Sequence, residues 1–305
     1  MSSALVVGEA LVDVVRTPDG SVREHPGGSP ANVALGLARL GRPTHLLTAL
    51  ADDPHGRLVA DHLQGSGVQL LGTGSAARVP MTSVAQATLD AEGAATYTFD
   101  IDWDLPDVDL PADAVVVHTG SIGAMLEPGA AAVARIMQDA RAGATTTYDP
   151  NLRPALLPQD RTAVRAAVEA MVARCDVVKA SDEDLAWLEP GVDPVEVLER
   201  WLALGPAVVA LTRGGEGATA LCAAGRVDTG AHATTVVDTV GAGDSFMAGL
   251  LDRLWSEDLL GADRREALRG ISTETLQRIV HRAAAAAAVT VARPGADLPT
   301  AADLG

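Results

Sequence analysis

The sequence predicts an α/β fold: a three-layer α/β/α sandwich around a central, mostly parallel sheet, with a small β-sheet lid. Three observations carry this expectation. Short β-rich segments alternate with helical ones over most of the 305 residues, the pattern of strands joined by crossover helices. Those strands are apolar throughout rather than at alternate positions, as strands covered on both faces are. Two further regions instead alternate polar and apolar residues around a central turn signal, as half-exposed antiparallel strands do.

In chain order, ALVVG (Ala4–Gly8) reads as the first strand, and Leu11–Glu24 as a strand pair around PDG at Pro18–Gly20. Pro30–Leu40 is helical, THLLTAL (Thr44–Leu50) a strand and His55–Gln64 a helix. Pro80–Phe99 is the second strand pair, around AEG at Ala91–Gly93. Strands follow at Ala114–Gly120, Thr145–Asp149, Asp176–Ala180 and Ala207–Thr212, separated by helices at Gly129–Ala142, Ala163–Ala173 and Val195–Leu204. The remainder is helical, over Gly241–Leu254 and Thr273–Val289; the alanine run Ala283–Ala288 suits close helix packing. No repeat or disordered linker divides the chain. The expectation is a single domain over residues 1–305, its lid formed by about 11–24 and 80–101.

Composition removes several classes of function. The formal net charge is −17 with no basic run, so nucleic acid and anionic membrane are poor partners. No apolar run reaches membrane-spanning length without a charge or glycine. MSSALVVGEALVDVV has no basic lead and contains Glu9 and Asp13, so it reads as a strand rather than a secretory signal; a cytoplasmic protein is expected. Cys175 and Cys222 match no metal spacing and read as buried free thiols in a reducing compartment. Lys179 is the only lysine, and no Gly-Lys-Ser/Thr sequence exists to end a nucleotide P-loop. Gly8 is followed by EALVD, so the glycine-rich turn of a dinucleotide-dependent oxidoreductase is missing after the first strand.

Three glycine-rich junctions remain. In GGSPANVALGLARLG (Gly27–Gly41), Ser29 is placed to cap a helix, Pro30 suits its first position and Asn32 falls in its first turn. Two glycines ahead of it let backbone approach a ligand; alone, the stretch fits a well-capped helix after a tight turn. LTRGGEGA (Leu211–Ala218) follows a strand and has the glycines of a phosphate-cradling loop, or of a hairpin turn. In DTVGAGDSFMAGLL (Asp238–Leu251), Gly241, Ala242 and Gly243 lead into a helix whose first amides are free to bind an anion. Asp244 stands beside that anion hole, where a carboxylate can take a proton from an attacking hydroxyl while amides hold the developing charge. A first-turn carboxylate also stabilises its own helix, so the stretch alone leaves both readings open.

Together, in this order and at these separations, the junctions resemble the ribokinase/PfkB-type carbohydrate kinases from about Val6 to Pro299. GGSPANVALGLARLG looks like that family's N-terminal signature and DTVGAGDSFMAGLL like its more specific C-terminal one; TRGGEG resembles the nucleotide loop and VVKASDEDL the segment before it. The resemblance implies a ribokinase-like fold with Asp244 as catalytic base and Gly241, Ala242 and Gly243 as the anion hole. It implies that Asp13 bonds sugar hydroxyls, with Gly28 and Asn32 helping, and that Ser181, Thr212, Gly214 and Gly217 line the ATP site. It further implies Mg2+, a lid that closes over the sugar, and a homodimer that pairs through that lid. Where the family commonly has Asn-x-x-Glu, this chain has Ser181 and Asp184, a carboxylate one methylene shorter. A water is able to span the difference, which leaves direct contact between Asp184 and the metal open. Asp238, with the carbonyls of Arg293 to Gly295, matches a site for a monovalent cation such as K+, or equally a surface turn.

GEALVD, DPNLRP (Asp149–Pro154) and ARPGADLP (Ala292–Pro299) look most like the fructokinase branch. Asn151 and Arg153 are placed with the substrate, although Arg153 suits a salt bridge to an acidic neighbour equally well. Fructose is the first substrate expected. 2-Keto-3-deoxygluconate, ribose, nucleosides and tagatose stay open, as does a non-catalytic sugar- or nucleotide-binding protein of the same fold.

Overall fold

The computed structural model describes residues 2–17, 19–89 and 95–305. Thirteen strands are present among them: β1 Ser3–Val7, β2 Leu11–Arg16, β3 Val22–Gly27, β4 Thr44–Leu47, β5 Val68–Leu71, β6 Val84–Leu89, β7 Ala95–Asp100, β8 Ala114–Gly120, β9 Thr145–Asp149, β10 Val177–Ser181, β11 Val208–Thr212, β12 Ala218–Cys222 and β13 Gly225–Thr229. The helices are α1 Ser29–Arg39, α2 Pro54–Gly65, α3 Gly129–Ala140, α4 Arg161–Val172, α5 Asp182–Leu188, α6 Pro194–Ala203, α7 Ala242–Ser256, α8 Arg265–Arg269, α9 Thr273–Val291 and α10 Ala301–Leu304. None is long and apolar enough to cross a membrane.

Nine strands form the main sheet, in the order β13-β12-β11-β10-β9-β8-β1-β4-β5. It is parallel from β11 to β5, with β12 and β13 added antiparallel at one edge. Its apolar strands feed two cores. Ala4, Val6, Val116, Val177 and Val208 face one core with α1, α7 and α9. Leu5, Val7, Val117, Val178 and Val209 face the other with α3, α4 and α6. Both pleat faces are therefore covered, which is why alternation is absent from these segments.

The alanine run of α9 and the glycines of α7 and α1 explain each other. A methyl group added at Gly249 would lie 2.8 Å from the Ala286 Cβ, and one at Gly36 would lie 2.7 Å from the Ala248 Cβ. Small residues let these helices approach closely and set the position of α7, whose N-terminus carries the site.

The remaining strands form a separate sheet, β3-β2-β6-β7. Strands β2 and β6 are parallel, flanked by antiparallel β3 and β7. The pairs run on to Gly27 and Asp100. Of the PDG turn signal Pro18 lies outside the described residues, while Gly20 turns with φ 84° and donates its amide to the Thr17 carbonyl at 2.9 Å; Ala91–Gly93 also lie outside the described residues. Two strands and three short helices were not apparent in the sequence: β5, β13, α5, α8 and α10. The TRGGEG stretch joins antiparallel β11 and β12, so it is a hairpin connection in the main sheet.

Candidate active site

Parallel pairing brings the ends of β1, β8, β9, β10 and β11 to one edge of the main sheet, the edge where ligands gather in open α/β folds. The N-terminus of α7 meets that edge. Gly241 makes the entry turn with φ 76°, and a side chain there would lie 2.8 Å from the Ala296 Cβ. Among the described residues, the amides of Gly243 and Asp244 donate to no protein acceptor, and that of Ala242 makes only a 3.3 Å bond to the Thr239 carbonyl. The turn thus presents free N–H groups where the helix dipole is positive.

Asp244 is 6 % exposed in this first turn. Ser29 Oγ donates to its Oδ1 at 2.6 Å and Asn32 Nδ2 to its Oδ2 at 2.8 Å. Asn151 Nδ2 lies 3.5 Å from Oδ1, on a residue with φ 36°. The sequence signature at the start of α1 is therefore built toward Asp244. This corrects the expectation that Ser29 caps its helix: Gly28 occupies the N-cap, without a side chain to cap with, and the Ser29 hydroxyl goes to Asp244. Gly28, with φ 102°, is needed because a Cβ would come within 2.6 Å of the Glu9 carbonyl.

Asp13 projects from β2 of the small sheet toward the same space. Its carboxylate lies over Gly27, where an added Cβ would sit 2.2 Å from Oδ2. Among the described residues it accepts no hydrogen bond from protein. Burial raises the Asp13 carboxyl above its ordinary range, against the pull of Arg153 and His25. Among the described residues Arg153 forms no salt bridge, the alternative reading of it. Its Nη1 donates to the Asn151 carbonyl at 2.9 Å and to Asn151 Oδ1 at 2.7 Å, leaving the guanidinium at the rim near Asp13 and Glu9.

Asp184 is engaged throughout. Ser181 caps α5 in a reciprocal box, its Oγ donating to Asp184 Oδ2 at 2.7 Å, and the Leu152 amide donates to Oδ1 at 2.7 Å. That geometry ties β10 to the Asn151 loop. Among the described residues no group of three or more His, Cys, Asp or Glu is arranged to hold a metal ion. Asp238 accepts the Val240 amide at 3.0 Å and the Gly295 amide at 2.9 Å, strapping the segment before α7 to the one after α9.

On the other side of α7, Thr212 ends β11 in register with Ser181. Gly214 and Gly217 bound the following turn with φ 47° and 96°, and a Cβ on Gly217 would meet the Thr229 carbonyl at 2.1 Å. Close by, a cleft of ≈ 490 Å³ is lined by His232, Thr234, Ala288, Val289, Ala292 and Arg293, among others. Asp244 does not line it. It flanks the C-terminal half of α9, which Thr290 links to α7 through a 2.9 Å bond to Ser245 Oγ.

Three buried groups at the site went unassigned in the sequence. Asp149, at the end of β9, pairs with Lys179 on β10 at 2.8 Å, and its Oδ1 is buried without a partner. Burial pushes the Asp149 carboxyl up to about 6, although Lys179 opposes this. Burial would lower the Lys179 ammonium, but Asp149, Asp184 and Asp244 outweigh it and hold the group above its ordinary value. Glu9, after β1, accepts the Gly123 amide at 2.8 Å, and burial raises its carboxyl to about 7. The signals were present: a lone lysine among apolar strand residues, and acids at or just past strand ends.

A buried carboxylate beside free helix amides, with a glycine turn and a cleft beside α9 and the further acids Asp13, Glu9 and Asp149 nearby, describes a phosphotransferase. The model of the pfkB family carbohydrate kinases matches residues 1–303, and the chain belongs to this family. It is a sugar kinase by fold and by descent. It is 34 % identical to a fructokinase of Rhizobium leguminosarum bv. trifolii, over 84 % of this chain and 81 % of the relative. It is 34 % identical to fructokinase-1 of Oryza sativa subsp. japonica, over 98 % of this chain and 95 % of the relative. Among solved structures, the fructokinase of Xylella fastidiosa with bound ATP superposes with a TM-score of 0.87 at 24 % identity, covering 99 % of this chain and 96 % of that one. A fructokinase of Vibrio cholerae O395 with fructose, ADP and calcium ion bound gives 0.78 at 25 %, over 100 % and 98 %.

Proposed function

We propose that the protein transfers the γ-phosphoryl group of ATP to the primary hydroxyl of fructose, giving fructose 6-phosphate. The observation that carries this reading is Asp244, buried, held at both oxygens and set beside unpaired amides of α7. Asp244 takes the hydroxyl proton as the oxygen attacks phosphorus, and the amides of Gly241, Ala242 and Gly243, joined by that of Asp244, hold the charge on the transferring group. Asp13, without a protein donor among the described residues, accepts bonds from sugar hydroxyls, and Asn151 and Arg153 lie alongside. Ser29 and Asn32 orient the base, so their part in sugar binding runs through Asp244.

The turn at Gly214 and Gly217 and the cleft beside α9 suit the nucleotide, with Thr212 and Ser181 at its phosphate end. Magnesium, brought in with the nucleotide, supplies neutralisation of phosphate charge. The fit for it is the orphaned Asp149 Oδ1, which a metal-bound water would satisfy; Asp184 acts by holding the loop. A monovalent cation beside Asp238 would share that carboxylate with two amides, and assays with and without K+ test it. We read the small sheet as a lid over the sugar that also pairs two copies; sedimentation at rising protein concentration tests the pairing.

Fructose is favoured because the similar relatives described above carry that activity in their names. A panel of sugars and nucleosides, read as ADP release with ATP and Mg2+, tests it. Fructose should give the highest kcat/KM; a preference for ribose, a nucleoside or a keto-acid sugar would replace it.

A further inference from the structure

Lys179 is the only lysine of the chain and is 2 % exposed, in the middle of β10 between Val177, Val178 and Ala180. Its ion pair with Asp149 is equally dry, the two side chains being 3 % and 0 % exposed. A buried pair of this kind is a weak device for stability, because desolvating both charges costs about what their attraction returns, and an apolar pair would fill the space as well. Its position points elsewhere. A Cβ built on Gly243 would lie 2.9 Å from Lys179 Nζ, so the ammonium sits directly under the first turn of α7. The charged and titratable groups that face it are Asp149 on β9, Asp184 on α5, Asp244 on α7 and His118 on β8. His118 is kept neutral, its imidazole pushed down to about 3 by burial and by the lysine. One ammonium therefore stands among three carboxylates, on the protein side of the anion hole.

We propose that Lys179 is a positioning residue for phosphoryl transfer: its buried ammonium is a fixed positive charge beneath the anion-binding turn. It offsets Asp149 and Asp244 in the resting site and then the negative charge of the transferring phosphoryl group. It keeps its proton throughout and forms no bond to substrate. Fixed charge in a dry site acts strongly on the transition state because nothing has to reorganise when the reaction occurs. The inference rests on the kinase reading above.

The test compares wild type, Lys179→Met, Asp149→Asn and the double variant Lys179→Met/Asp149→Asn, by thermal melting and by steady-state kinetics with ATP and the best sugar. The double variant strands neither partner as an unpaired buried charge, so it should melt near the wild type. In both variants lacking the lysine, kcat should fall ~100-fold or more while KM for ATP and sugar moves less than ~3-fold, the signature of an interaction used in the transition state. Asp149→Asn reports the loss that Asp149 itself carries, and the double variant should fall well below it in kcat. A well-folded double variant with kcat within ~3-fold of wild type overturns the proposal, since the pair would then be structural only. So does a rise in KM for ATP at constant kcat, or a double variant no slower than Asp149→Asn. If the wild-type protein phosphorylates nothing in the panel, the kinase reading itself falls and takes the inference with it.

Discussion

Asn32 Nδ2 donates to Asp244 Oδ2 at 2.8 Å, joining the first turn of α1 to the first turn of α7 across 212 residues of sequence. With Ser29 on the other oxygen, it fixes where the carboxylate points. Asn32→Ala should leave one oxygen unheld, so kcat should fall by about tenfold with little change in KM for ATP, an effect within the range of lost orienting bonds. Steady-state kinetics at saturating sugar checks this. Equal losses in the ATP and sugar KM values with unchanged kcat would place Asn32 on a substrate instead.

Asp13 has no donor from the protein among the described residues and sits where Gly27 leaves room for it. Asp13→Ala should raise KM for the sugar by ~10- to 100-fold, the cost of one charged hydrogen bond or more, and leave KM for ATP nearly constant. Titration with each ligand separately decides it. Comparable weakening of both ligands would count against a direct sugar contact.

Glu9 gives a pH-dependent prediction. Burial raises its carboxyl from 4.5 to about 7 in the folded chain. The folded state therefore binds its proton more tightly than the unfolded chain. That contribution to stability is full below pH 4.5 and is lost as pH rises through about 7, to a total of about 3 kcal/mol. Glu9→Gln has no such proton to lose, so its stability relative to wild type should rise by that amount between pH 4.5 and 8. Urea denaturation at the two pH values measures it; a constant difference would contradict the assignment.

Gly217 has φ 96° and no space for a side chain against the Thr229 carbonyl. Gly217→Ala should shift the nucleotide loop, destabilise the chain by about 1–3 kcal/mol and raise KM for ATP more than that for the sugar. Melting and kinetics together check this, and an unchanged KM for ATP would separate the loop from the nucleotide.

Much of this was legible in the sequence because the fold writes its own pattern there. Unbroken apolar strands such as VVALT are buried on both faces, and the GAGD turn needs glycine for its left-handed entry. The edge strand β13 was hidden, and β12 was legible only as one of two readings, because TRGGEG fits a hairpin and a phosphate loop alike; the chain folds it as a hairpin. Short helix α5 was hidden because its apolar periodicity spans barely two turns; only its capping box marks it. The Lys179–Asp149 pair was hidden because strand register decides which residues face each other, and register is not local. Ser29 misled for the same reason: a serine ahead of a helix is a good cap until a distant carboxylate claims its hydroxyl.

The most direct test of the account is Asp244→Asn, which keeps the shape and removes the base. ATP and sugar should bind with near wild-type affinity in calorimetric titration, while kcat for ADP release falls ~10²- to 10⁴-fold, the range for loss of a positioned general base. A variant that binds both ligands and turns over within a few-fold of wild type would show that Asp244 is a helix-stabilising carboxylate and not the base.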